Sequence, residues 1–113
     1  MVITESVSQG WHIIQLEGKF IVRNLTVIRK AFERAERESI PGIAIDLSGV
    51  SQVDSSAITI LMNFQRRVIQ KDGLLVLFGL RSDITEIFSI VGIDKLFRIC
   101  RDREDFETLY VHQ

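Results

Sequence analysis

The chain has 113 residues, 46% of them hydrophobic and 26% charged, with a formal net charge of -1. That length is most simply one domain, 1–113, with enough apolar material for one core without disulfide or metal staples. The near-zero charge gives no global field toward nucleic acid or an anionic membrane, and acids lie close to most of the local basic runs such as Arg66-Arg67 and Arg101-Asp-Arg103.

Val2 to Val7 reads as a short edge strand. A turn at Gln9-Gly10 leads to a second strand from Trp11 to Leu16, which Phe20, Ile21 and Val22 extend. From Asn24 the period changes. Leu25, Ile28, Phe32 and Ala35 fall at helical spacing with charged residues between them, and Asn24 is placed to cap this first helix. Pro41-Gly42 ends it. Ile43 to Leu47 is a short β-rich run containing one acid, Asp46. The polar cluster Asp54-Ser55-Ser56 follows, and then a second helix from about Ser56 to about Lys71, stopped by Asp72-Gly73.

Leu74 to Phe78 is wholly apolar, as for a strand covered on both faces. Asp83 with Glu86 resembles a capping arrangement for a third helix whose stripe is Ile84, Ile87, Phe88 and Val91, with Gly92 just past its end. Phe97 to Cys100 reads as a last strand. Asp102 to Tyr110 reads as a closing helix, with Phe106 and Leu109 inward. Strands alternating with helices predict an α/β fold: a mainly parallel central sheet of about four or five strands, right-handed crossovers and about four helices.

Asp54-Ser55-Ser56 carries the most chemistry. Any of the three can cap the second helix, whose first backbone N–H groups lack partners and favour negative charge. A phosphate on a serine there would be tolerated by the fold but felt by anything docked on it. Along the same helix Ala57, Leu61, Phe64 and Val68 form one stripe with Ile60 beside it, while Ile58, Met62 and Ile69 lie largely off it. If the first set packs on the sheet, Ile58 and Met62 are partly exposed near Ser56. They then form an apolar contact patch, or else the edge of an unusually broad buried face.

Other constellations are poor. His12 and His112 lie near opposite ends of the sequence, and Cys100, the only cysteine, has no motif partner and cannot form an internal disulfide. There is no Gly-rich phosphate loop, paired-histidine metal motif or nucleophile elbow. Asp46 and Asp54 are a thin basis for a metal site, so no catalytic residue, metal or cofactor is expected. No apolar run approaches the roughly 18 residues of a membrane span, and no basic-then-apolar leader opens the sequence. A reduced, cytoplasmic setting without membrane insertion or direct nucleic-acid contact follows.

Four segments together resemble the STAS domain family: Gly18-Lys-Phe before the first helix, Ile45-Asp-Leu-Ser-Gly-Val with Asp54-Ser-Ser before the second, Leu74-Leu-Val-Leu-Phe-Gly-Leu80, and Ile90-Val-Gly-Ile-Asp-Lys-Leu-Phe97. The resemblance runs from roughly Gln15 to Leu109 and implies a single STAS domain that binds proteins rather than turning over a substrate. In single-domain members of the family, an antagonist binds an anti-sigma factor that is also a serine kinase and is released when the second serine of Asp-Ser-Ser is phosphorylated. That serine is Ser56 here, with Ser55 the neighbouring alternative.

The candidate partner-binding surface is Ile21, Asn24, Asp54, Ser55, Ser56 and Ala57, which the resemblance implies, with Ile58 and Met62 added from their place off the buried stripe of the second helix. Two positions depart from the family pattern: Ile21 stands where many antagonists have an acid, and Ala57 stands where a glycine is common. The alternatives are a STAS scaffold or transporter-associated subunit binding other signalling proteins without the phospho-switch, and, from another class, a small ligand-binding domain or enzyme. A weak homodimer stays open.

Overall fold

A computed structural model describes residues 1–112. Its sheet contains β1 (Val2–Ser8), β2 (Trp11–Phe20), β3 (Gly42–Val53), β4 (Leu74–Phe78) and β5 (Arg98–Cys100), in the spatial order of the sequence. β1 and β2 form an antiparallel hairpin, and every later pairing is parallel. Between the parallel strands run α1 (Leu25–Arg37), α2 (Ser55–Gln70) and α3 (Ser82–Ile90), and α4 (Arg103–Phe106) closes the chain, continuing as a π-helical turn over Glu107–Val111.

The strand order fixes where the helices lie. Each crossover steps to the next strand in the same direction, so crossovers of one hand place α1, α2 and α3 on a single face. The cores follow that division. Ile14, Leu16, Ile45, Leu47, Leu75 and Leu77 pack with the buried sides of α1, α2 and α3. The alternating residues Trp11, Ile13, Ala44, Val76 and Phe78 pack against Phe106 on the other face. β4 is thus covered on both sides, which is why it carries no polar residue.

Several local expectations need correction. β3 is a 12-residue strand rather than a run ending at Leu47. Its polar second half is held by backbone pairing to β2, from Glu17↔Gly49 to Phe20↔Val53, with two irregularities where β3 carries an extra residue. The second strand does not continue through Val22: Ile21 is a bend and Val22–Asn24 form a 3-10 turn. Asn24 precedes α1 but donates its side-chain amide backward to the Lys19 carbonyl (2.7 Å) instead of capping the helix.

The last two helices also depart from expectation. Asp83 lies inside the first turn of α3, behind an Arg81 N-cap, and accepts the neighbouring Ile84 N–H. α3 buries Ile84 and Phe88 but leaves Ile87 and Val91 exposed. A nine-residue helix lying against one edge of the sheet has room for only a narrow buried stripe. Phe106 is buried as expected, whereas Leu109 is exposed, because the π-helical turn rotates the chain and Tyr110 packs on Trp11 in its place. Among the described residues no helix is long and apolar enough to cross a membrane.

Candidate functional site

The polar cluster lies where β3 gives way to α2. Val53 pairs with Phe20 at the ends of β3 and β2, so the loop after β2 and the start of α2 are neighbours. Asp54 joins them. It is the N-cap of α2, in extended conformation, with one carboxylate oxygen accepting from the Ala57 N–H (3.1 Å) and from the Ser56 hydroxyl (2.5 Å). Its other oxygen accepts from the Val22 N–H (2.9 Å), 32 residues earlier in the chain. The cap left open between Asp54, Ser55 and Ser56 therefore belongs to Asp54.

These donors act on the Asp54 charge. The hydrogen bond from Ser56, then that from the Val22 backbone, stabilise the carboxylate and hold its pKa below the ordinary 3.8. Asp54 is thus an anion at neutral pH, directly beside the Ser56 hydroxyl. Asp46 is engaged separately: it is buried and accepts from the Ser48 N–H (2.9 Å) and hydroxyl (2.7 Å). The two acids have different partners and share no ligand geometry in these contacts. Burial, with Asp105 and Asp102 nearby, pushes the buried Cys100 thiol up, so it stays protonated.

The remaining site residues fall into two groups. Ile21, Asn24, Asp54 and Ser56 are half-buried and Ser55 is exposed, and the Asp54–Val22 hydrogen bond and the Phe20–Val53 pairing bring their two segments together. Ala57 is fully buried, so its methyl serves the helix–sheet packing while its backbone N–H is taken by Asp54. The two sides of α2 separate as the spacing predicts. Leu61, Phe64 and Val68 are buried, Ile58 and Met62 are half-buried at the margin of the core, and Ile69 is 57% exposed. Ile58 follows Ser56 by two residues, and Met62 follows Ile58 by one helical turn.

Two features were not anticipated. Val22 is 67% exposed, and its turn is tied to the site by Asp54. Nothing in the residue type of Val22 signals a hydrogen bond made by its backbone. The second is a groove of about 460 Å3 between α1 and α2, lined in part by Ser56, Arg29, Glu33 and Arg67. Arg29 belongs to the polar side of α1, which periodicity marks only as solvent-facing.

Comparison with known proteins gives a consistent picture. The STAS domain family profile matches residues 3–106. No curated protein sequence matches the chain. Among solved structures it is similar to an anti-sigma factor antagonist from Mycobacterium paratuberculosis (TM-score 0.86, 18% identity, covering 96% of this chain and 92% of that one). It is also similar to the Bacillus cell fate determinant SpoIIAA in its phosphorylated form (TM-score 0.71, 16% identity, 96% and 99% covered). A third similar structure is a glutamate-for-serine variant of RsbS from Moorella thermoacetica (TM-score 0.76, 16% identity, 95% and 93% covered).

Proposed function

The chain belongs to the STAS domain family, and on that premise we propose that it is an anti-sigma factor antagonist, a cytoplasmic binding protein rather than an enzyme. Its partner is an anti-sigma factor with serine-kinase activity, and phosphorylation at Ser56 ends the complex. The observation that carries this reading is the placement of Ser56: a half-buried hydroxyl on the second residue of α2, next to the exposed Ser55 and hydrogen-bonded to the same Asp54 that holds the Val22 turn. A reactive oxygen sealed in the core would have defeated it.

The chemistry is a phosphoryl transfer supplied by the partner. The Ser56 oxygen attacks the terminal phosphorus of a nucleoside triphosphate held by the kinase. The new O–P bond replaces the bond to the departing nucleoside diphosphate, and the hydroxyl proton passes to a base on the kinase. The product carries about -1.5 to -2 charges where there was a neutral hydroxyl. A partner packed over Val22, Ile58 and Met62 would have to desolvate that charge beside the Asp54 carboxylate. A penalty of about 3 kcal/mol weakens binding more than a hundredfold.

A scaffold role without the phospho-switch is the second reading, and Ile21, half-buried where many antagonists carry an acid, is the feature that favours it. Paired baits separate the two. Wild type and Ser56→Asp are each used to capture partners from the native cell. A serine kinase retained by wild type and lost with the Asp variant is the expected result, with melting temperature nearly unchanged. Equal retention by both, or incorporation of both into one large particle, would overturn the switch in favour of the scaffold.

A further inference from the structure

If Ser56 is the modified residue, as proposed above, its present hydrogen bond cannot survive the modification. The Ser56 hydroxyl donates to Asp54 at 2.5 Å. Phosphorylation removes that hydrogen, and the fully ionised phosphate has only acceptor oxygens, facing a carboxylate that is itself only an acceptor. One of the two anions must turn away. Asp54 is held by the Val22 and Ala57 backbone N–H groups, whereas a phosphate on Ser56 is free to swing about one side-chain bond.

The space available to it is the groove between α1 and α2, which Ser56 already lines. Two arginines also line the groove. Arg67 is committed to Glu36 (2.9 Å) and lies over the Phe64 ring. Arg29 makes no ion pair within 4 Å among the described residues. Glu33, one turn further along α1, lines the groove as well and repels an anion, so it keeps a phosphate at the Arg29 end. We propose that Arg29 is the phosphate-binding residue of the modified protein: phosphoserine 56 turns from Asp54 into the α1–α2 groove and pairs with the Arg29 guanidinium, leaving the Asp54–Val22 link intact. The planar guanidinium suits two phosphate oxygens at once, which a lysine does not.

The test uses the full chain with phosphoserine installed at position 56 during translation, so it needs neither kinase nor partner. The phosphorus resonance is followed through a pH titration in wild type, Arg29→Gln and Arg29→Lys, all in the presence of the same Asp54, Glu33, Glu36 and Arg67. The second phosphate ionisation, ordinarily near pH 6, is expected to lie lower in wild type than in Arg29→Gln by about half a pH unit or more. Arg29→Lys falls between them. The Arg29 side-chain N–H resonance moves on phosphorylation, while the Val22 amide does not. Equal midpoints in wild type and Arg29→Gln overturn the proposal, as does a displaced Val22 amide with Arg29 unmoved. An exposed helix residue is safe to replace, and the amide spectrum of unphosphorylated Arg29→Gln verifies the fold. Failure here leaves the Ser56 switch itself to the paired baits.

Discussion

Asp54 and Val22, 32 positions apart, are joined by a backbone-to-carboxylate hydrogen bond of 2.9 Å that fastens the turn after β2 to the first turn of α2. A backbone hydrogen bond adds to this link, since the Asp54 N–H donates to the carbonyl of Phe20 at the end of β2. One residue therefore sets both the start of the helix and the pose of an exposed apolar side chain. Replacing it by alanine removes its side-chain bonds to Val22, Ser56 and Ala57 together, leaving the Ala57 N–H only its bond to the backbone carbonyl of residue 54. Asp54→Ala should lower the melting temperature and speed hydrogen exchange at the Val22 and Ala57 amides. Asp54→Asn, which can still accept but no longer carries charge, should do less. Unchanged exchange at Val22 in the alanine variant would show that the turn is held by something else.

The same carboxylate gives the domain an acid-sensitive element. Its folded pKa lies below the unfolded value of 3.8, chiefly through the Ser56 and Val22 donors. A second such group is Glu5. Partial burial raises its pKa, but hydrogen bonds from Arg34 and His12 outweigh this and hold it below 4.5. Groups with depressed folded pKa values contribute stability that is whole above the unfolded value and lost as pH falls through the folded one. Melting temperature should therefore hold steady at neutral pH and fall below about pH 4.5, where these groups begin to differ between states. Asp54→Asn should flatten the part of that decline below about pH 4. An identical acid profile in the variant would remove Asp54 from the account.

Ile58 tests whether the margin of α2 is surface or core. It packs against the main core but is only half-buried, whereas Leu61, three residues on, is fully buried. A lysine at 58 can lay its stem along the same apolar contact and carry the ammonium to water. Ile58→Lys should abolish partner capture while costing far less stability than Leu61→Ala, for which about 2–5 kcal/mol is expected. A loss of melting temperature as large as that of Leu61→Ala would place Ile58 in the core and remove the contact patch.

What the sequence disclosed and what it hid divide along physical lines. β4 and the buried stripe of α2 were legible because burial is written in residue type: Leu74 to Phe78 has no polar member, and Ala57, Leu61, Phe64 and Val68 recur at helical spacing. The second half of β3 was not, because Gly49 to Val53 is held to β2 by backbone bonds that leave little trace in side chains. Leu109 was misplaced because helical spacing assumes 3.6 residues per turn, and the chain widens into a π-helical turn at Glu107. The serine pair could be found from its motif. The Val22–Asp54 link and the Arg29 groove could not, since each joins segments that only the assembled sheet brings together.

Gly42 offers a test of the opposite face. It opens β3 beside Trp11, and a Cβ built there would lie 2.7 Å from the indole ring, nearer than real atoms approach. Trp11 cannot simply retreat, because Phe106 meets it edge-on at 4.9 Å between ring centroids and Tyr110 lies 5.8 Å away. The close approach of strand to indole thus sets how α4 seats on the sheet. Gly42→Ala must push the ring outward or bend the strand, an overpacking cost of about 1–3 kcal/mol. The expected signature is altered fluorescence of the only tryptophan together with a lower melting temperature. Because Asp54–Ser56, where the partner is proposed to bind, lies at the far end of β3 on the other side of the sheet, partner capture should persist at temperatures where the variant is folded. Loss of capture by a folded Gly42→Ala protein would mean that the two faces are coupled.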